Sequence, residues 1–313
     1  ELFNGLAIDG LETEWAEYPV FHLDFNGVDF TQEGVLNNRI NKWLSDYETI
    51  YGRNPNSLNQ GDRFSDLLKA AHQQTGRRAV VLIDEYDKPL LDVLDTGFST
   101  VVDGEKRLLE DHHRNILKGF YSVFKAADAN LQFVLLTGVT KFSQVSVFSG
   151  FNQPEDISMS RDYEALCGIT EEELYSYFAE PIAELAEDND CSVNEMKQML
   201  KKQYDGYHFG KRMTDIYNPF SILNACKSCN IDDYWFRSGT PSYLIRLLNH
   251  TQENLNELTG KYYDTSEFID YKADVEKPLP MIFQSGYLTV KGFDREMNTY
   301  LLDFPNNEVK KGF

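Results

Sequence analysis

The sequence predicts an α/β fold built on a parallel sheet, and three observations carry that prediction. Three short apolar runs have the length and the flanking turns of buried strands. Helix-patterned stretches separate them, so consecutive strands are joined by crossovers and not by hairpins. The composition, 42% hydrophobic with 18 Tyr and 21 Phe in 313 residues, supplies enough apolar material for two or three packed units.

The strand-like runs are Val20–Phe25 (VFHLDF), Ala79–Ile83 (AVVLI) and Leu131–Leu136 (LQFVLL). Parallel strands read as nearly continuous apolar runs because helices cover both faces of such sheets. Between them, Val35–Tyr51 places Val35, Ile40, Trp43, Leu44 and Tyr47 at helical spacing, and Phe64–Gln73 is patterned likewise. Glu105–Ala127 sets Leu108, Leu109, Ile116, Leu117, Phe120 and Phe124 mostly on one face of a further helix. This alternation implies βαβ units and assigns residues 1–160 to the α/β core. From 161 to 250 the pattern is mostly helical. Thr170 followed by Glu171–Glu173 marks a helix start, Val193–Tyr204 is a second helix, and two more lie around Phe220–Cys226 and Pro241–Leu248. Residues 251–313 end differently: a short helix near Pro280–Ser285 leads into YLTVKGFD and TYLLDFP, a hairpin after helices in the manner of a winged-helix tail.

A formal net charge of −20 repels nucleic-acid phosphates and anionic lipid, which argues against direct DNA binding and against a membrane-surface role. Cys226 and Cys229 form a lone CxxC with no two further ligands nearby for zinc, so the four cysteines read as reduced thiols. No apolar run approaches the roughly 18 residues needed to cross a bilayer. ELFNGLAIDG is not a signal peptide and lacks an initial Met, and the expectation is a cytoplasmic chain presented as a fragment.

The sharpest chemical signal is Val80-Val81-Leu82-Ile83-Asp84-Glu85. Four aliphatic residues ending in adjacent acids have the form of a Walker B strand, whose end opens on the ligand crevice of an α/β sheet. An acid at that point can hold Mg²⁺ through water, since Mg²⁺ takes only one or two carboxylates, and a following Glu can polarise an attacking water. The plainer alternative is a buried strand emerging into an acidic loop. Thr137, closing Phe133–Leu136 with Gly138 behind it, could reach a γ-phosphate or the attacking water, although Thr-Gly at a strand end is also an ordinary turn. No stretch matches the GxxxxGK[ST] phosphate loop. Gly210-Lys211 comes nearest, but Arg212 and Asp205 stand where Ser/Thr and the first Gly belong.

ELFNGLAI, YPVFHLDF, VVLIDEYDKPLLD, FYSVFKAAD, FVLLTGVTKFSQVSVFSGFN, LCGITEEEL, YDGYHF, YNPFSILNA, YWFRSGTPSYLI, SGYLTV and FPNNEV follow in that order. Together they resemble the predicted AAA-ATPase-like family of bacterial P-loop NTPases, similar to the STAND class of signalling ATPases. The resemblance implies a nucleotide-binding core truncated at its N-terminus, a helical lid and a winged-helix part, with ATP and Mg²⁺ as cofactors. It also implies Asp84 as the Mg²⁺-associated acid, Glu85 as catalytic base and Thr137 in the sensor position. Gly239-Thr240-Pro241 resembles the element with which related lids contact the nucleotide. Asp87 and Lys88 belong to the same block without an assigned role. Family members usually begin with a phosphate-binding loop and often end in a nuclease-like domain of the restriction-endonuclease type. Neither lies in these residues, so the fragment itself is expected to bind and hydrolyse nucleotide poorly.

Three other readings compete with this one. Asp84, Glu85 and Asp87 as a nuclease metal site fails the acid-x-Lys spacing, because Tyr86 stands two residues before Lys88. A non-catalytic interaction scaffold would use the helical and winged-helix parts. Its non-basic stretch DYKADVEKPLPMIFQSGYL favours a protein partner over DNA. No G-x-S-x-G elbow supports a serine nucleophile. Lys141 and Arg114 read as surface ion-pair partners before phosphate contacts, His112-His113 as solvent-facing, and YDGYHFG with DDYWFRSG as ring packing before adenine stacking.

Overall fold

The computed structural model describes residues 3–141, 154–238, 242–250, 257–269 and 278–312. Its described residues divide into two units: those up to 93 and 97–138 form the first, and 94–96, 139–141 and those from 154 onward the second.

The first unit runs α1 (Ala7–Leu11), β1 (Val20–Asp24), α2 (Val35–Tyr51), α3 (Gln60–Thr75), β2 (Ala79–Asp84), α4 (Lys88–Leu91), β3 (Ser99–Val102), β4 (Glu105–Leu108), α5 (Leu109–Tyr121), α6 (Val123–Ala126) and β5 (Leu131–Leu136). Strands β1, β2 and β5 form a parallel sheet in that order. Val20 to Asp24 pair with Val80 to Asp84, and Val80 to Ile83 pair with Phe133 to Leu136. The anticipated parallel core is therefore present, as a three-stranded sheet with β2 at its centre.

Register sorts its side chains. Phe21 and Leu23 lie level with Val81 and Ile83, and all four are buried. That face is covered by aromatic packing: Phe21 lies 4.6 Å from the Tyr47 ring of α2 and 5.8 Å from Phe64 of α3. Leu36, Ile40, Trp43 and Leu44 supply the buried stripe of α2 at the spacing the sequence shows. Asn59 caps α3 by accepting from Asp62 N, and Gly76 ends it in the left-handed conformation. The opposite face is more open than a parallel sheet covered on both sides would be, with Val20, His22 and Phe133 exposed.

Two local readings change. Glu105–Leu108 is a strand and not the first turn of a helix, because Asp103 and Gly104 both take positive φ (52° and 81°) and turn β3 back onto β4. His113 is buried, its Nδ1 lying 2.9 Å from the Pro89 carbonyl, and burial pushes its pKa down. Of the pair, His113 lies on the buried stripe of α5 with Leu109, Leu117 and Phe120, and His112 is only partly buried.

The second unit contains β6 (Ile169–Thr170), α7 (Glu171–Tyr177), α8 (Ala179–Asp188), α9 (Val193–Tyr204), β7 (Ile216–Tyr217), α10 (Pro219–Ser228), α11 (Tyr234–Arg237), α12 (Ser242–His250), β8 (Lys261–Tyr263), α13 (Thr265–Phe268), α14 (Leu279–Gln284), β9 (Thr289–Asp294), β10 (Thr299–Asp303) and α15 (Asn307–Gly312). Thr170 and Ser192 begin α7 and α9 with reciprocal capping boxes to Glu173 and Glu195. Leu174, Ile182, Leu185, Met196, Leu200, Tyr204, Tyr217 and Ile222 close a helical core. Strands β8, β10 and β9 pair antiparallel in that order. No helix among the described residues is long and apolar enough to cross a membrane.

Candidate nucleotide and metal site

The C-terminal ends of β1, β2 and β5 bring Asp24, Asp84 and Thr137 to one edge of the sheet. Asp24 and Asp84 are register partners. Side chains alternate along a strand, so both acids, like Thr137 one step past Leu136, belong to the more open face. Thr137 Oγ1 donates to Asp84 Oδ1 at 2.5 Å, and the same oxygen accepts from Glu85 N at 3.0 Å. The other Asp84 oxygen is left for a cation or its water shell.

Backbone bonds tie β2 to both neighbours at this point. Phe25 N donates to Asp84 O, Thr137 N to Ile83 O, and Tyr86 N returns to Thr137 O at 3.0 Å. Between them Glu85 adopts φ 53°, a left-handed conformation rare for a residue with a Cβ. Burial raises the Glu85 pKa first, the negative charges of Asp87, Asp84 and Asp24 raise it further, and Lys88 opposes them. A carboxyl shifted toward neutral pH suits proton transfer better than an ordinary glutamate does.

The rest of the DEYDKP block is structural support. Asp87 is fully buried. Gly138 is the residue that lets it fit, since an added Cβ would lie 2.5 Å from Asp87 Oδ1 and 2.8 Å from the Tyr86 ring. Lys88 pairs with Asp92 at 2.9 Å, and Asp92 also accepts from Phe30 N. The Asp24 carbonyl receives the Arg39 guanidinium at 2.6 Å, and Arg39 stacks over Trp43.

Asp24 is the site residue that sequence reasoning passed over. The signal was present as an acid closing an apolar strand, but only the register with Asp84 gives it meaning. Among the expected contacts, Lys141 pairs with Asp156 and Arg114 with Glu110 and Asp111, as surface ion pairs. Gly239, Thr240 and Pro241 lie outside the described residues.

The donor set fits a hard divalent cation held largely through water. No group of three or more His, Cys, Asp or Glu side chains among the described residues is arranged to cage a metal. One or two carboxylates at a strand edge are what Mg²⁺ requires. Asp84 and Asp24 would hold it there, and its charge would neutralise phosphate oxygens.

A protein in the vnfD 5′ region of Azotobacter chroococcum mcd 1, described as uncharacterized, is 32% identical over 312 residues. The match covers 99% of this chain and 56% of that protein, so the chain spans about half the length of the relative. No solved structure matches the chain. Residues 1–148, which contain the three parallel strands and the Asp84–Glu85 edge, match the family model for the predicted AAA-ATPases.

Proposed function

We propose that the protein binds ATP with Mg²⁺ at the C-terminal edge of the β1–β2–β5 sheet and hydrolyses it. In this reading Asp84 orients the hydrated cation, Glu85 takes a proton from the attacking water, and Thr137 holds Asp84 in place. The observation that carries it is the hydrogen bond from Thr137 Oγ1 to Asp84 Oδ1 beside a half-buried Glu85 of raised pKa. The family match supports a nucleotide as ligand. With its proton spent on Asp84, Thr137 acts on the phosphate through the acid and the cation.

No GxxxxGK[ST] occurs in these 313 residues, so this reading requires a phosphate-cradling loop supplied from elsewhere. Strand β5 pairs only with β2 among the described residues and leaves Phe133 53% exposed. A further parallel strand added at that edge would bring its loop beside Thr137 and Asp84. Gly239-Thr240-Pro241 would reach the nucleotide from the helical part, in a STAND-like arrangement with a helical lid and a winged-helix end. A protein partner or a downstream nuclease-like domain would receive the switch.

The test is calorimetric titration of Mg·ATP and Mg·ADP into this chain and into one extended upstream, with Glu85→Gln in the longer form. Binding by the longer chain, with turnover abolished in Glu85→Gln but binding retained, is the expected result. Absence of both binding and turnover in the longer chain would overturn the ATPase reading in favour of an interaction scaffold.

A further inference from the structure

The helical unit holds a cavity of about 390 Å³ that the ATPase reading does not use. Two sequence blocks far apart in the chain meet at its wall, YDGYHF at the end of α9 and FPNNEV at the start of α15. Gly206 makes the approach possible: at φ 96°, an added Cβ would stand 2.4 Å from the Pro305 carbonyl oxygen. Lys291 of β9 spans the junction, donating to Gly206 O at 2.6 Å and Pro305 O at 2.9 Å. An ammonium carries three protons, so one Lys291 donor remains without an acceptor among the described residues.

Two neighbouring polar groups are also incomplete. Asn306 is 9% exposed; its Oδ1 accepts from Val309 N, while its Nδ2 is buried and has no partner among the described residues. Asp205 is 3% exposed, and its Oδ1 likewise lacks a donor. Buried polar atoms are nearly always hydrogen-bonded, so two orphans lining one cavity point to a ligand that completes them.

The charges facing the cavity favour an anion. Lys202 and Lys310 stand exposed at its mouth and form no ion pair among the described residues. Of the acids, Asp215 is engaged by His208 at 2.8 Å and Lys201 at 3.3 Å, and Asp303 accepts from Phe304 N. Lys201 is shared among Glu171, Asp215 and Asp205. Burial raises the Asp205 pKa, which lessens its repulsion of an anion and leaves a carboxyl able to bond a hydroxyl.

We propose that this cavity binds a small phosphate-bearing ligand, its oxygens held by Asn306 Nδ2, Lys291, Lys202 and Lys310. In a phosphate ester, a hydroxyl of the ligand pairs with Asp205. A volume of this size accommodates a phosphorylated sugar but not a full dinucleotide.

The experiment is titration of inorganic phosphate and of ribose 5-phosphate into this chain at fixed ionic strength, without Mg²⁺ or nucleotide, followed by ³¹P NMR. The result is then independent of the ATPase reading. Asn306→Asp keeps the oxygen that caps α15 and removes the donor; Lys202→Gln/Lys310→Gln changes only exposed side chains. Saturable one-site binding that weakens at least tenfold in both variants, with unchanged circular dichroism, is expected. Tighter binding of ribose 5-phosphate, lost in Asp205→Asn, identifies an ester as the ligand; equal binding identifies free phosphate. No saturable binding of either compound, or wild-type binding in the lysine double variant, overturns the proposal.

Discussion

Glu85 carries two separable costs, and replacing it distinguishes them. The first is conformational. At φ 53° a residue with a Cβ is strained by about 1–2 kcal/mol, whereas glycine is not. Glycine gains extra freedom in the unfolded chain worth roughly 0.5–1 kcal/mol, so Glu85→Gly stabilises by a net ~0–1.5 kcal/mol from strain alone. The second cost is electrostatic. Burial and the neighbouring acids raise the folded-state pKa above its unfolded value. Native protein therefore holds this proton more tightly than unfolded chain does, and stability is lost as pH rises through the interval between the two values. Glu85→Gln removes this loss without changing the backbone preference. Urea unfolding as a pH series from 8 downward separates the terms. Gln is more stable than wild type at pH 8, and its advantage shrinks as pH falls through the interval between the folded and unfolded values. Gly retains its strain-derived advantage throughout. A glycine variant less stable than wild type across the series would refute the assignment of strain, and a Gln effect that stays constant down to the ordinary carboxylate range would refute the assignment of charge.

Three further outcomes follow from particular contacts. Arg63→Ala takes from the Glu48 carboxylate, 7% exposed, its 2.7 Å partner and leaves it only Arg53 at 3.9 Å. The loss should be about 3–5 kcal/mol by urea unfolding, and replacing both residues with apolar ones should recover most of it. Gly138→Ala forces its methyl against Asp87 and the Tyr86 ring, costing about 1–3 kcal/mol in the same assay. Glu308→Ala removes a fully buried acceptor from Ser221 Oγ and Trp235 N, costing about 1–3 kcal/mol. Because the lost acceptor holds the Trp235 backbone, a change in tryptophan emission should accompany that loss.

The sequence announces those features whose causes are local. The apolar runs become β1, β2 and β5 because each is a continuous apolar stretch bounded by turns and helices, although in the fold burial alternates along β1 and β2 and only one face of the sheet is closed. The stripe of α2 and the caps of α7 and α9 are set by residues three or four positions apart, and these elements start or end where their spacing says. Hairpin β3–β4 carried a local signal too, in Asp103-Gly104, but the apolar pattern downstream extended the helix across it. What stays hidden is defined by distant residues. Strand β8 exists through pairing of Tyr263 with Tyr300, with no hairpin turn to announce it. Asp24 gains its place from register with Asp84, sixty residues on. The cavity between Gly206 and Asn306 has no signature in either block alone.

The geometry at the end of β2 explains how two adjacent acids can do different work. Asp84 is still a strand residue, its carbonyl bonded to Phe25 N and its side chain held by Thr137. Tyr86 must turn back to donate to Thr137 O, and only one residue is available to make the turn. Glu85 therefore takes the left-handed conformation, which swings its side chain out of the strand's alternation. Asp84 stays exposed and hydrogen-bonded, suited to a hydrated cation, while Glu85 is half-buried beside three other acids, suited to a proton. A shift of one residue in the β2–β5 register would exchange these surroundings. The strained backbone at Glu85 is thus a consequence of the bonds that fix Asp84 against Thr137, and under the proposed ATPase reading Glu85→Gly in the upstream-extended chain is expected to bind Mg·ATP by calorimetry without hydrolysing it.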